Sequence, residues 1–132
     1  MATAYRAITP QNPANLDPMA ANALVRGQPI QITNAPTTAA VLFTVKVCPD
    51  GQRPDGLVID AIDLGGTGRF QPRCSAASVV LLGGAVAVGD LLKVSAGKWV
   101  KCSPGDQGWM RAMQIGAAGD LVNAEPADKT AA

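Results

Sequence analysis

The octapeptide AVGDLLKV at residues 87–94 recurs as AAGDLVNA at residues 117–124, without gaps and thirty positions further along the chain. In each copy, glycine permits a backbone conformation that a Cβ atom would penalise. The following aspartate can accept hydrogen bonds from nearby backbone amides, which fixes a turn, and the apolar residues after it can enter a strand. Four structural turn residues are therefore predicted, namely Gly89, Asp90, Gly119 and Asp120.

A degenerate third copy, GQPI at residues 27–30, has glutamine in place of aspartate. A solenoid stacks three or more complete units, so the two full copies indicate a repeated hairpin within one barrel. The alternative interpretation is that Asp90 and Asp120 form a carboxylate pair for catalysis or metal binding. Aspartate is so common in turns that the structural interpretation is favoured.

On both sides of the repeats, short apolar runs alternate with turns, as expected for a chain with 14 Gly and 10 Pro. Hydrophobic residues make up 48% of the chain and aromatic residues only 4%, so the core must consist mainly of aliphatic side chains. This pattern predicts an all-β fold, a compact β-barrel or sandwich-like domain, and leaves one short helix open near residues 15–25. The predicted strands cover residues 23–32, 39–47, 56–62, 78–82, 85–88, 91–94, 98–102, 109–115 and 121–124.

The 132 residues fit one domain with a distinct segment at each end. Residues 1–21 form a predicted extended N-terminal arm, because their three prolines remove backbone donors and exclude regular structure. Residues 22–125 form the predicted β-rich domain, and residues 126–132 form a polar tail that we expect to fray. The arm either orders on a neighbouring subunit or is a free terminus.

Charge is sparse and evenly spread along the chain. Its 11 basic and 10 acidic residues give a formal net charge of +1, and no basic run stands out. Nucleic-acid binders concentrate basic residues on one surface, so direct binding to DNA or RNA is not expected. The longest apolar stretches, such as residues 79–88, are too short and glycine-rich to span a membrane. Residues 1–16 lack the pattern of a signal peptide, so we expect the protein to be made and used inside a cell.

The sequence lacks the groups from which most active sites are built. It has no histidine and one glutamate, Glu125, so the usual general base and its pairing with Ser or Cys are missing. SAGK at residues 95–98 has the spacing of a Ser-Lys nucleophile but falls in a predicted hairpin turn. GGTGR at residues 65–69 does not match a phosphate-binding loop. We therefore predict no enzyme activity, no catalytic residue and no cofactor.

The three cysteines, Cys48, Cys74 and Cys102, are widely spaced and form no CxxC pair. Without histidine partners they do not make a zinc site, so no metal is expected. Three small apolar thiols in a reducing cytoplasm are one interpretation, and a single disulfide between an unidentified pair is the other.

Three motifs in residues 85–124 point to a known family. They are the GDL strand opening at 89–91, the short GKWV hairpin at 97–100 and the closing AAGDLV strand at 117–122. Their order and spacing resemble the C-terminal half of small tailed-phage capsid decoration, or cement, proteins. MRAMQIG at residues 110–116 matches the strand before the last motif more loosely, and the resemblance covers about the last third of the chain.

The resemblance implies a β-barrel-like body that is made in the host cytoplasm and sits on the outer surface of a viral head. There it would stabilise the shell against the pressure of packaged DNA, with no cofactor. The implied partners are the major capsid protein and other copies of the chain, as a homotrimer or another small cluster. With so few aromatic residues, an exposed tryptophan is also a credible interface anchor. The predicted capsid or subunit interface comprises Ala2, Tyr5, Ile8, Pro10, Pro13 and Trp109.

Two alternatives to a decoration protein stay open. A head-fibre or host-attachment protein would share the location on the virion. A β-barrel carrier or accessory domain would share the repeated hairpin, and a carrier would have to present a lysine such as Lys98 at the hairpin tip.

Overall fold

The structure, a computed structural model, describes residues 8–9, 12–16, 19–20, 23–33, 44–61, 69–72 and 78–132. These residues form twelve β-strands in two sheets and contain no helix. The predicted all-β class is therefore confirmed.

The first sheet has seven strands in the order β1-β2-β7-β6-β4-β5-β3. Neighbouring strands are antiparallel except for β3, which lies parallel to β5. The strands are β1 (Ile8–Thr9), β2 (Asn12–Leu16), β3 (Met19–Ala20), β4 (Pro29–Thr33), β5 (Thr44–Val47), β6 (Gly56–Val58) and β7 (Phe70–Pro72).

The second sheet has five antiparallel strands in the order β10-β9-β11-β12-β8. Its two edges meet, because Leu82, just after β8, bridges Trp99 in β10, and the Gly83 N–H donates to the Trp99 carbonyl over 2.8 Å. The sheet therefore closes on itself as a small barrel. Its strands are β8 (Ser78–Leu81), β9 (Leu91–Ser95), β10 (Lys98–Lys101), β11 (Gln107–Ala112) and β12 (Leu121–Thr130).

The hairpin predicted around residues 95–97 is confirmed as the link between β9 and β10. Ser95 pairs with Lys98, and the two residues between them have positive φ angles, 52° at Ala96 and 72° at Gly97. Two residues with positive φ make the tight turn that matches the right-handed twist of the flanking strands.

The core lies inside the barrel and continues into the first sheet. Trp99 is the largest fully buried side chain, and aliphatic residues surround it, as the low aromatic content requires. Cys48 and Leu57 join this cluster from the first sheet, so the two sheets share one core. A smaller cluster within the first sheet consists of Leu24, Ile30, Val45 and Val58.

Two segments take a form that the sequence did not predict. The helix left open near residues 15–25 is not found, because the described residues of that span form strands, an isolated bridge at Leu24 and the start of a turn. The tail does not fray, because β12 extends to Thr130, which pairs with Gln107 of β11. Ladder hydrogen bonds use the main chain, so polar side chains do not prevent a tail from entering a sheet.

The described residues of the predicted arm are extended and pair within their own chain. β1 pairs with β2, β2 pairs with β7, and β3 pairs with β5. Contact between the arm and a neighbouring subunit stays a prediction. Of the other predicted segments, residues 39–43 and 65–68 lie outside the described residues, and residues 85–88 form a single bridge at Val86 instead of a strand.

Candidate functional site

The Gly-Asp dipeptides form one kind of turn, which occurs four times among the described residues. In residues 117–120, the Asp120 N–H donates to the Ala117 carbonyl over 3.0 Å, and the Asp120 carboxylate accepts from the Ala117 N–H over 2.9 Å. The third residue, Gly119, has a φ of +89°, which is typical of a type II turn. The same bonds are present in residues 25–28, 87–90 and 103–106. We call these four segments the Gly-Asp turns, although glutamine replaces aspartate in the first.

Each Gly-Asp turn also clamps the end of a distant strand. The Gly119 N–H donates to the Leu82 carbonyl over 2.8 Å, and the Leu82 N–H donates to the Asp120 carbonyl over 2.9 Å. The residues held in this way by the four turns are Val58, Ala112, Ala131 and Leu82, in the order of the turns along the chain.

The aspartates of the two repeats therefore act on the backbone. Asp90 and Asp120 each accept a hydrogen bond from the first residue of their own turn, 2.8 Å and 2.9 Å away. This is the turn role predicted from the sequence. The turn at residues 103–106 is a further copy, and its Gly-Asp dipeptide is the signal in the sequence that identifies it.

The predicted interface residues are spread over both sheets. Ile8 lies in β1 and Pro13 in β2, whereas Ala2, Tyr5 and Pro10 lie outside the described residues. Trp109, in β11, is half-buried against the core, and the Arg53 guanidinium lies 6.0 Å from the centre of its ring.

An exposed apolar surface lies where the two repeats meet, and the sequence analysis missed it. Val86 and Gly116 exchange backbone hydrogen bonds of 2.9 Å and 3.2 Å, which join the two connecting segments. The exposed fractions nearby are 69% for Val88, 46% for Met113 and 77% for Ile115. We call these three side chains the apolar loop surface.

A groove of about 430 Å³ adjoins this surface and carries positive charge. Its cations come from three strands, Lys101 at the end of β10, Arg111 in β11 and Lys129 in β12. Among the residues that the structure describes, no Asp or Glu side chain lines it. We call it the basic groove. It shares Gly89 and Arg111 with a smaller groove of about 310 Å³, which Val88, Met113 and Glu125 also line.

The two described cysteines are buried free thiols with weak acidity. Burial, together with the charge of the nearby Asp55 carboxylate, raises the pKa of Cys48 to about 12. Burial also raises the pKa of Cys102. A thiol is nucleophilic as its thiolate, so neither group is activated. Cys74 lies outside the described residues.

Two further searches cover only the described part of the chain. No group of three or more His, Cys, Asp or Glu residues that could hold a metal ion occurs there. Nor does that part contain a helix long and apolar enough to cross a membrane.

The fold and the turns together define an all-β chain of two packed sheets, in which repeated turns clamp the ends of strands. The same fold is present in the crystal structure of the N base of the head fibre protein gp8.5 of bacteriophage phi29. The similarity has a TM-score of 0.74 at 17% sequence identity and covers 89% of this chain and 97% of the phage chain. No family model matches the sequence. No curated protein matches it either.

Proposed function

We propose that this chain is a structural, non-enzymatic protein of a tailed-phage virion that attaches to the outer surface of the head. The observation that carries the proposal is the fold shared with the phi29 head fibre base over 89% of the chain. The resemblance of residues 85–124 to capsid decoration proteins supports it independently, because it rests on sequence motifs and not on the fold.

Two roles on the head are compatible with this proposal. A decoration protein would stabilise the shell, as the sequence resemblance implies. The base of a head fibre would instead anchor a projecting part, as the structural neighbour suggests. In both roles the partners are the major capsid protein and further copies of the chain, as a trimer or another small cluster. The apolar loop surface offers exposed hydrophobic area for such contacts.

The carrier alternative is less well supported, because the β9–β10 hairpin tip is fastened to the first sheet. The Ala96 N–H donates to the Asp50 carboxylate over 2.7 Å, and the Gln28 side chain donates to the Gly97 carbonyl over 3.1 Å. A Cβ atom added to Gly97 would lie only 2.9 Å from Val47. A carrier lysine must move between active sites. A hairpin tip that is held by these contacts does not favour such movement.

The proposal is tested by deleting the gene from the phage that encodes it. Mass spectrometry of purified wild-type virions should detect the chain, and deletion virions should lack it. If the chain is a decoration protein, deletion heads should release DNA at a lower temperature. If the chain is a fibre base, the deletion heads should keep their heat stability, and electron micrographs of negatively stained heads should show no surface projections. Absence of the chain from purified wild-type virions would refute both roles.

A further inference from the structure

We propose that the basic groove binds an extended, acidic segment of the capsid shell protein. This inference rests on the proposed attachment to the head and adds the chemistry of the contact. Nothing in the sequence resemblance indicated it, since the predicted interface lay in the arm and at Trp109.

The first argument is unbalanced charge. Lys101, Arg111 and Lys129 converge on one groove, although the whole chain has almost equal numbers of basic and acidic residues. Glu125 pairs with Arg111, and the closest oxygen of Asp90 lies 3.9 Å from the Lys101 ammonium. At that distance on a surface, a pair contributes little, so Lys101 keeps most of its capacity for an external carboxylate.

The second argument is that the walls of the groove are fixed before anything binds. The Gly-Asp turn at residues 103–106 holds Ala131 by two bonds of 3.0 Å and 2.8 Å, and the turn at 87–90 holds the end of β11. The Cys102 N–H donates to the Leu91 carbonyl over 2.8 Å, which fixes a third wall residue. A preorganised surface loses less conformational entropy on binding.

The third argument concerns the kind of occupant. Leu91, Pro104 and Ala131 add apolar area to the groove, and the apolar loop surface continues it past Gly89. Acidic and apolar side chains alternating along an extended protein segment would complement both parts. Duplex nucleic acid would instead need a broader basic surface, and a single strand would need exposed aromatic rings as well.

The aromatic rings that the structure describes do not meet that requirement. Trp99 is fully buried, and Trp109 is half-buried with Arg53 over its ring. A protein segment is therefore the occupant that the surface favours.

The test measures sedimentation of purified protein with heads from deletion virions over a series of NaCl concentrations. The test variant carries Lys101→Glu and Lys129→Glu. The matched control carries Arg26→Glu and Lys98→Glu, which are exposed and outside both grooves. Each pair changes the formal net charge from +1 to −3, because each of its two reversals removes two units. A further variant, Lys101→Gln with Lys129→Gln, removes charge without adding repulsion, and circular dichroism checks that all variants are folded.

We expect the Lys101→Glu, Lys129→Glu variant to bind heads about tenfold more weakly and with less dependence on salt, because long-range steering and contact attraction are both reversed. The glutamine variant should lose less affinity, and the control should bind like the wild type. Equal binding of wild type and test variant would overturn the groove assignment while leaving head attachment intact. Failure of the wild type to bind heads would overturn the proposed function itself. If the wild type bound duplex DNA and the test variant did not, the proposal that a protein segment occupies the groove would be overturned.

Discussion

The four Gly-Asp turns allow backbone strain and steric contact to be separated by one substitution, Gly to Ala at the third position. Their glycines have nearly equal φ angles, +84° at Gly27, +90° at Gly89, +91° at Gly105 and +89° at Gly119. An L-residue in this left-handed region loses about 1–2 kcal/mol relative to a right-handed conformation. Alanine at any of the four positions should therefore lower the free energy of unfolding by about that amount.

Gly27 differs from the other three in its surroundings. A Cβ atom there would lie 2.6 Å from the backbone nitrogen of Leu81 and 3.0 Å from the carbonyl carbon of Val80. At the other three glycines, nothing lies within 4 Å of the added atom. Overpacking adds about 1–3 kcal/mol, so Gly27→Ala should lower the free energy of unfolding by about 2–5 kcal/mol in total.

The assay is urea unfolding followed by tryptophan fluorescence, with the midpoint and slope fitted for wild type and each variant. Gly89→Ala, Gly105→Ala and Gly119→Ala are the matched controls for Gly27→Ala. The interpretation would be refuted if Gly27→Ala were no more destabilising than the three controls, because the turn would then not lie against the backbone of β8. Negligible destabilisation by all four would refute the positive φ angles.

Three further outcomes are expected from buried or paired side chains. Trp99→Ala should lower the free energy of unfolding by about 3–5 kcal/mol, measured by calorimetry, because it opens a cavity at the centre of the barrel. The folded-state pKa of Asp106 is lowered by its hydrogen bonds to a lysine ammonium and a backbone amide. Its contribution to stability is thus complete above the ordinary aspartate pKa of about 3.9 and declines as the pH falls from there through the lower folded-state pKa, so Asp106→Asn should flatten acid unfolding curves in that range. In a folded Cys74→Ser variant, a thiol reagent at mild alkaline pH should label Cys48 and Cys102 slowly, and in urea it should label both rapidly. Rapid labelling of the folded variant would contradict the burial of these thiols.

Local turn chemistry was the part of the fold most accessible from sequence. The Gly89-Asp90 and Gly119-Asp120 pairs predicted where β9 and β12 begin, because that signal lies within four consecutive residues. The partners that these turns clamp, such as Leu82, could not be predicted in the same way. They lie far away in sequence, and their position depends on the order of strands in both sheets.

The basic groove could not be predicted from the sequence for a related reason. Its cations lie on three strands, and they meet only when β11 pairs with β12 in a register that places Arg111 opposite Glu125. A shift of one residue would turn every side chain of a strand to the other face. The strand β11 also contains an irregularity between Gly108 and Met110, which period-two alternation does not anticipate.

The role of Trp109 as an interface anchor stays a prediction. Its ring packs against the core, and the guanidinium of a loop residue, Arg53, lies over it. The largest exposed apolar fractions near the repeats belong instead to Val88 and Ile115, which are on connecting segments. Both lie within two residues of the Val86–Gly116 bridge, which joins positions thirty residues apart in sequence.

The central claim, attachment to the outside of a phage head, is tested most directly by electron cryomicroscopy of wild-type and deletion heads. A difference map should show density on the outer surface into which the two-sheet fold fits, with the basic groove facing the shell. Difference density confined to the tail or to the inside of the head, or none at all, would contradict the account.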